Sequence, residues 1–311
     1  MDPAEYVKEA LLEKLKNDKE YPEAKKRWLA GESLTSICNT ITMCRGRLAS
    51  YLKAEGYTIV QNGAIYTYHE NAFEIIDTPE KAYWLGFLYA DGYTTVTPAC
   101  CCNLRLKGSD KEILDKFAKF VGDDVPVKIS NKTFNGKPYK IAEVSIANKK
   151  MTYDIIEKGC VPKKSLIVEF PSTDIVPKEL QLDFIRGVWD GDGTISTMTN
   201  TRTGYSATSV SLVSASKKMI LGIRDCLRDH GLDLGDIKIS NSRAMQKMNR
   251  HPLYTIRKAA QKTVYHFYEL LYEGKKDLSL KRKYDKIYQY AVAFQSRTEK
   301  CDDKRGIKRE G

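Results

Sequence analysis

Two short stretches put aspartates where they could do chemistry: "YADGYTT", with Asp91, and "DGDGTIS", with Asp190 and Asp192. Alternating acids and a glycine before Thr-Ile read at first like a calcium loop. Counting removes that reading. With Gly193 at the sixth position of such a loop, Asp190 falls third and Asp192 fifth. The first ligand then becomes Val188 and the twelfth Thr199, so both end ligands are missing. The run "ELQLDFIRGVWD" ahead of these acids is apolar and helical, as is "KAYWLGFLYAD" ending in Asp91. Asp91 and Asp192 are therefore expected at helix C-termini, where the helix dipole disfavours negative charge. Side by side they would also repel each other. A divalent cation relieves both costs, and hard oxygen ligands favour magnesium, which keeps waters and substrate phosphates around it. A metal held between carboxylates and a scissile phosphate can generate hydroxide and stabilise the leaving oxygen. The chemistry these residues imply is hydrolysis of a phosphodiester.

The helices themselves carry the means of bringing the acids together. Gly86 and Ala90 are four apart and share a face, as do Gly187 and Gly191. Faces of small residues let two helix backbones approach closely. Parallel packing would then make Asp91 and Asp192 converge at one edge of the interface. Gly92 and Gly193, just after the acids, suit left-handed C-cap positions.

The surroundings of the two acids repeat. "KAYWLGFLYADGYTTV" and "LDFIRGVWDGDGTIST" share an apolar helix, a small-Asp-Gly end and a β-branched run, with Asp91 and Asp192 101 residues apart. Each is followed by an alternating stretch ("CCNLRLKGS"; "TSVSLVSAS"), a helix opening, the tetrapeptide "KISN", a strand near a proline and another helix. Each half thus reads as helix, strand pair, helix, strand pair, helix.

The 311 residues suffice for two or three domains, and 42% hydrophobic content marks a globular chain. Lys+Arg number 51 against 40 Asp+Glu, a net charge of +11 that favours a polyanionic partner, nucleic acid first. The eight cysteines form no CxxC pair and the four histidines are dispersed, so reduced thiols in a cytosol-like compartment are expected, without zinc. No signal peptide or membrane-spanning run is seen, which points to a cytoplasmic, DNA-associated protein.

Before the repeat, "AEYVKEALLEKLK" spaces Val7, Ala10, Leu11, Leu12 and Leu15 along one helix face. Next come a helix ending near Ala30-Gly31, a short one from about Ser33, a turn at Asn39–Ile41 and a helix capped by Thr42 running to about Glu55. Leu34, Ile37, Ile41, Leu48 and Leu52 would pack the three together. The segment resembles a helix-turn-helix module, with Met43, Arg45, Gly46, Arg47 and Ser50 on the groove-facing side. Thr40 departs from the glycine such turns often carry. The expected domains are 1–57 for this module, a linker 58–80, and half-domains 81–175 and 176–311.

"WLGFLYADG" and "IRGVWDGDG" resemble the two signatures of the LAGLIDADG homing endonucleases, with Tyr89 a departure from the aspartate many members carry. The resemblance runs from about Lys81 to Tyr290. It implies an α+β fold of two pseudo-twofold-related αββαββα half-domains whose antiparallel sheets form a saddle over DNA. It also implies that Asp91 and Asp192 are the essential, metal-holding acids, with Ala90 and Gly191 beside the metal. A basic residue near the metals in each half is implied as well. "GCVPKKSL" offers Lys163 and Lys164, the latter preferred; "DLSLKRKYDK" offers Lys281 and Lys283, with Lys281 preferred. Expected base contacts are Thr94, Thr95, Thr97, Asn103 and Arg105 in the first half. In the second they are Thr197, Thr199, Thr201, Arg202, Ser209 and Ser211. Lys128, Asn131, Lys238 and Asn241 are expected at phosphates.

The function so implied is a monomeric, site-specific double-strand DNA endonuclease using Mg2+, for which Mn2+ can substitute. It would act on a long, near-unique site and take no small-molecule substrate or membrane partner. An intron maturase and a non-cleaving transcription regulator are the alternatives; both metal acids being present favours cutting. An intein is disfavoured, because the terminal Cys/Ser and His-Asn of protein splicing are not found.

Overall fold

The structure, a computed structural model, describes residues 12–57, 66–96, 100–199, 201, 202, 204, 206–240 and 251–304, with side chains at all but 134 and 299–304. Val7, Ala10, Leu11, Thr97 and Asn241 lie outside the described residues. The chain divides into two compact units, Met1–Ile65 and Tyr66–Gly311.

In the first unit, residues 12–16 are helical and are followed by α1 (Tyr21–Leu29), α2 (Leu34–Cys38) and α3 (Arg45–Ala54). Gly31 (φ +92) makes the turn between α1 and α2, and Ser33 caps α2 by accepting from the Ser36 N–H at 3.1 Å. Ile37, Leu48 and Leu52 are buried with Tyr21, Ala24, Met43 and Tyr51, while Leu34 and Ile41 pack on the edge. Two expectations are corrected. Thr42 does not cap α3; its N–H and hydroxyl both donate to the Glu20 carboxylate (3.0 and 2.8 Å), which holds the turn, and α3 begins at Arg45. Met43 is buried in the three-helix core rather than facing outward, because the extended approach to α3 turns its side chain inward.

The second unit carries the repeat. Its first half runs α4 (Pro79–Asp91), β1 (Gly92–Thr95), β2 (Cys101–Lys107), α5 (Lys111–Val121), β3 (Lys128–Phe134), β4 (Lys137–Ile146) and α6 (Lys149–Glu157). The second runs α7 (Gln181–Asp192), β5 (Thr194–Thr199), β6 (Ser206–Ser214), α8 (Lys217–Asp229), β7 (Lys238–Ser240), β8 (Leu253–Lys258) and α9 (Gln261–Leu271), and is followed by α10 (Lys281–Lys304). Both sheets are antiparallel, in the orders β1-β2-β4-β3 and β5-β6-β8-β7. Local signals account for the helix starts. Thr78 accepts from the Lys81 N–H ahead of Pro79, and Asn148 and Ser216 cap α6 and α8 in the same way.

Cys102, Leu104, Leu106, Ala142, Val144 and Ile146 of one sheet, and Ile195, Val210, Leu212 and Ile256 of the other, are buried on the helix-covered faces. The alternate residues form two open faces. Residues 66–80, expected as linker, are instead part of this unit. Tyr68 bridges Gly122 in an isolated antiparallel pair, and Phe73 and Ile76 are buried in the shared core.

α4 and α7 meet backbone to backbone. A Cβ on Gly86 would be driven into the Phe184 carbonyl, 2.9 Å from its carbon; one on Gly187 would be driven into the Tyr83 carbonyl and lie 2.8 Å from the Phe87 nitrogen. Gly86 lies between Phe184 and Val188, Gly187 between Tyr83 and Phe87, and Gly191 against Ala90, so the helices run parallel and in register. Gly86→Ala or Gly187→Ala is therefore expected to destabilise the second unit by about 2 kcal/mol or more. Gly46→Ala, on the surface of α3 with nothing within 4 Å, should be neutral or stabilising. Denaturant unfolding of the three variants checks this.

Candidate active site at the paired helix ends

The registered helices deliver Asp91 and Asp192 to the same end of their interface, and each chain then passes directly into the first strand of its sheet. The glycines after the acids do not adopt the expected left-handed cap. Gly92 (φ −73, ψ 145) and Gly193 (φ −71, ψ 158) are extended. They are glycines for space: a Cβ would lie 2.8 Å from Leu88 Cα in one case and 2.6 Å from Trp189 Cγ in the other.

Asp91 is half-buried, and burial together with the neighbouring Asp192 charge pushes its carboxyl up to about 6. Asp192 is exposed, yet the protein crowded around it raises its carboxyl too. Lys283 and Lys164 oppose both shifts from a distance. Among the described residues, none donates a hydrogen bond to either carboxylate. Nor is there a cluster of three or more His, Cys, Asp or Glu side chains. The donors at this end are the two carboxylates; of the carbonyls expected to join them, that of Gly191 is engaged by Lys283 Nζ at 3.0 Å. Such a set suits a hard divalent cation that completes its shell with water and phosphate oxygens, and not zinc.

The two lysines hold the helix ends. Lys164 is buried and its Nζ donates to the Gly92 carbonyl, just past α4. In the second half the expected Lys281 is corrected: it is exposed and paired with Asp285 one turn along α10. Lys283 takes the site instead. It is 4% exposed, and its Nζ donates to the carbonyls of Trp189, Asp190 and Gly191 at 2.8, 2.6 and 3.0 Å. Those are carbonyls of the last turn of α7, that of Trp189 also accepting from the Gly193 N–H at 2.9 Å, and a cation suits that end of the dipole. Burial lowers the Lys283 ammonium to about 8, with Asp190, Asp91 and Asp192 pulling the other way.

Asp190, passed over in the sequence as a calcium look-alike, is fully buried and fully partnered. It accepts from the Tyr83 hydroxyl (2.9 Å), the Tyr272 hydroxyl (2.8 Å) and the Leu280 N–H (2.7 Å). It thereby ties α4, the end of α9 and the start of α10 to α7. Arg186, buried beneath it, lies over the Tyr83 ring at 5.0 Å and pairs with Asp183 at 2.6 Å. At the matching position in the first half, Tyr89 donates to the Lys158 carbonyl at the end of α6.

The strands place the other expected residues as follows. Thr95, Asn103, Arg105 and Lys128 lie on the open face of the first sheet, and Ser211 and Lys238 on that of the second; Ser209 has the same parity but is corrected to a buried place, its hydroxyl accepting from Arg257 Nη2 at 3.3 Å. Arg202 and Thr201 are exposed in the turn after β5. Thr94 is corrected to the covered side, where its hydroxyl donates to the Cys160 carbonyl at 2.8 Å. Asn131 has the opposite strand parity to Lys128 but is exposed, towards the far end of β3. Thr197 and Thr199 share the face of buried Ile195, and their hydroxyls pair with Thr208 (2.9 Å) and Ser206 (2.7 Å) facing α10. Matching Gly92 to Gly193 shows the cause: Thr95 corresponds to Ser196, so the second-half choice was one residue out, and the open face carries Thr194, Ser196 and Met198. In the first unit Arg45 is exposed at the start of α3. Arg47 pairs with Asp18 at 3.2 Å, and the Ser50 hydroxyl donates to the Gly46 carbonyl.

Two αββαββα halves, joined through parallel helices that end in unpartnered acids, define a class of two-sheet protein with one shared site. Residues 179–278, within the second half of the repeat, match the family model of the LAGLIDADG-like domain. No curated protein matches the chain. Among solved structures the chain is similar to the LAGLIDADG homing endonuclease I-GzeII in complex with its DNA target, at 12% identity over 72% of this chain and 92% of that one, TM-score 0.44. It is similar to the homing endonuclease I-WcaI bound to its DNA recognition sequence, at 12% over 72% and 96%, TM-score 0.45. A third is full-length DUF199/WhiA from Thermatoga maritima, at 17% over 76% and 72%, TM-score 0.39. Among the described residues no helix is long and apolar enough to cross a membrane.

The raised carboxyls have a consequence for stability. An acid whose pKa is higher folded than unfolded favours the folded state only while protonated, so stability falls as pH rises from the unfolded value near 3.8 through about 6. Without divalent ions, Asp91→Asn is expected to stabilise the protein by about 1–3 kcal/mol at pH 7.5 and to have little effect near pH 4. Thermal melts of both proteins across that range, with chelator, check the sign.

Proposed function

We propose that this protein is a site-specific double-strand DNA endonuclease. The observation that carries the reading is the pair of unpartnered carboxylates, Asp91 and Asp192, at the joint between two open antiparallel sheets. The LAGLIDADG-like domain over residues 179–278 and the net charge of +11 support it. Asp91 and Asp192, with the Ala90 carbonyl, would hold divalent ions, of which Mg2+ is the expected one and Mn2+ a substitute; the Gly191 carbonyl, engaged by Lys283, is not included. A divalent ion in that position supplies Lewis acidity at the scissile phosphate and a hydroxide nucleophile at neutral pH. Lys164 and Lys283 fix the carbonyls that border the acids and add positive charge where the phosphate would sit. Their buried placement keeps the helix ends rigid, which positions the acids. The open sheet faces would lie against the grooves of one duplex, with Lys128 and Lys238 near phosphates.

In-vitro selection of cleaved duplexes from a random library, with Mg2+ or Mn2+, tests the activity. Asp91→Asn and Asp192→Asn are each expected to reduce cutting by on the order of a hundredfold or more while leaving binding nearly intact. Lys283→Met should reduce it about tenfold or more, whereas Lys281→Ala should leave it unchanged. Undiminished cutting by either aspartate variant sinks the reading. Tight binding without cutting by the parent chain in either ion would favour the non-cleaving regulator.

The first unit is proposed as a helix-turn-helix module that adds affinity at flanking base pairs through linked binding. Its exposed Arg45 and the turn held by Glu20 and Thr42 support this. Removing residues 1–65 is expected to shorten the footprint, weaken binding and flatten its salt dependence. Footprinting across a salt series would contradict the module's role if none of the three changes.

A further inference from the structure

The match of Gly92 to Gly193 also pairs the open-face positions of the two sheets, and one such pair differs sharply in chemistry. Arg105 on β2 faces Glu143 on β4; in the second sheet the same two places are held by Val213 on β6 and Thr255 on β8. The edge strand agrees with this correspondence, since Lys128 pairs with Glu143 and Lys238 with Thr255. Arg105 projects outward, 58% exposed, and one guanidinium nitrogen, Nη2, is held by Glu143 Oε1 at 2.8 Å. A guanidinium carries five N–H groups, so one bond to Glu143 leaves donors for a two-pronged contact. Val213 is 40% exposed, with Thr255 opposite it on β8, Lys238 beyond that on β7, and Ser211 and Arg257 at the next pair along the same face. Nothing in the core explains either side chain, because both point away from it.

Resting on the proposed endonuclease reading of these faces, we infer that Arg105 and Val213 specify different bases at matching positions of the two half-sites. Arg105 reads a guanine through its O6 and N7, the pair of acceptors that an arginine fork fits in the major groove. Val213 contacts the C5-methyl of a thymine, the apolar group that distinguishes a T·A pair there. Glu143 is a positioning residue for Arg105. The target is therefore asymmetric at this pair of positions, G on the side of the first sheet and T on the side of the second, whatever the bases elsewhere.

The experiment is selection of bound duplexes from a randomised pool by the full chain in the presence of chelator, so that duplexes are recovered uncut. The parent protein should select G and T at two positions symmetric about the centre of the site. Arg105→Lys keeps the charge but loses the fork, and should lower the preference for G at its position by roughly ten- to a hundredfold while the rest of the site is unchanged. Glu143→Gln should lower it less. Val213→Arg combined with Thr255→Glu rebuilds the pair in the second half and should replace T by G there. Placing uracil for that thymine should weaken binding by the parent severalfold and leave Val213→Ala indifferent. Selected sites whose bases at both positions survive the Arg105 and Val213 substitutions overturn this inference and leave the endonuclease reading standing. A chain that selects no DNA overturns both.

Discussion

The contact on which the rest depends is the approach of α4 to α7 through Gly86 and Gly187. Each glycine faces a carbonyl of the other helix, so neither helix can slide or rotate without driving a backbone into a backbone. Interiors packed at this density have few alternative arrangements. Register follows, and with register the last residue of each helix is fixed. Asp91 and Asp192 are neighbours because of glycines lying more than a turn of helix before them.

What the two halves do with the shared plan is not symmetric. Asp190 and Tyr89 occupy matching places, and each anchors its helix end differently. Tyr89 reaches the end of α6, while Asp190 collects two tyrosine hydroxyls and a backbone N–H from around the start of α10. A buried carboxylate with three donors is costly to form but rigid once satisfied. That rigidity sets where α10 begins, and so where Lys283 enters. Lys164 comes from a turn after α6, Lys283 from within a helix, yet both end on backbone carbonyls beside the catalytic candidates. Neither is hydrogen-bonded to the carboxylates, which leaves the acid oxygens available.

Much of this was legible in the residues. Small residues at a four-residue spacing, the Asp-Gly ends and the order of pieces repeated at 101 residues give the two halves and the meeting of the acids. Of the features read wrongly, three show the physical reason most directly. Strand parity has a period of two, so starting the count of β5 at Thr197 instead of Ser196 moved Thr197 and Thr199 to the wrong face. Choosing Lys281 ignored helix phase: Leu280, Lys283, Tyr284, Ile287, Tyr290 and Ala291 fall on one stripe, which places Lys283 inward and Lys281 outward. Gly92 and Gly193 were read as conformational glycines, whereas their φ values suit any residue and only neighbouring atoms exclude a side chain. Asp190 could not be singled out, because its three donors come from positions distant in sequence.

The contrast between Asp190 and its neighbours bears on what the site is for. All three acids lie within one crowded region, and burial raises the carboxyl of each. Among the described residues the fold supplies donors to Asp190 and none to Asp91 or Asp192. Providing a nearby hydroxyl or amide for Asp91 or Asp192 would have relieved strain at little structural cost, as Asp190 demonstrates a few ångströms of chain away. Instead the cations that could have neutralised them are engaged with carbonyls. A pair of acids with raised carboxyls and no donor among the described residues, at a rigid joint, is the arrangement on which the proposed divalent-ion reading rests.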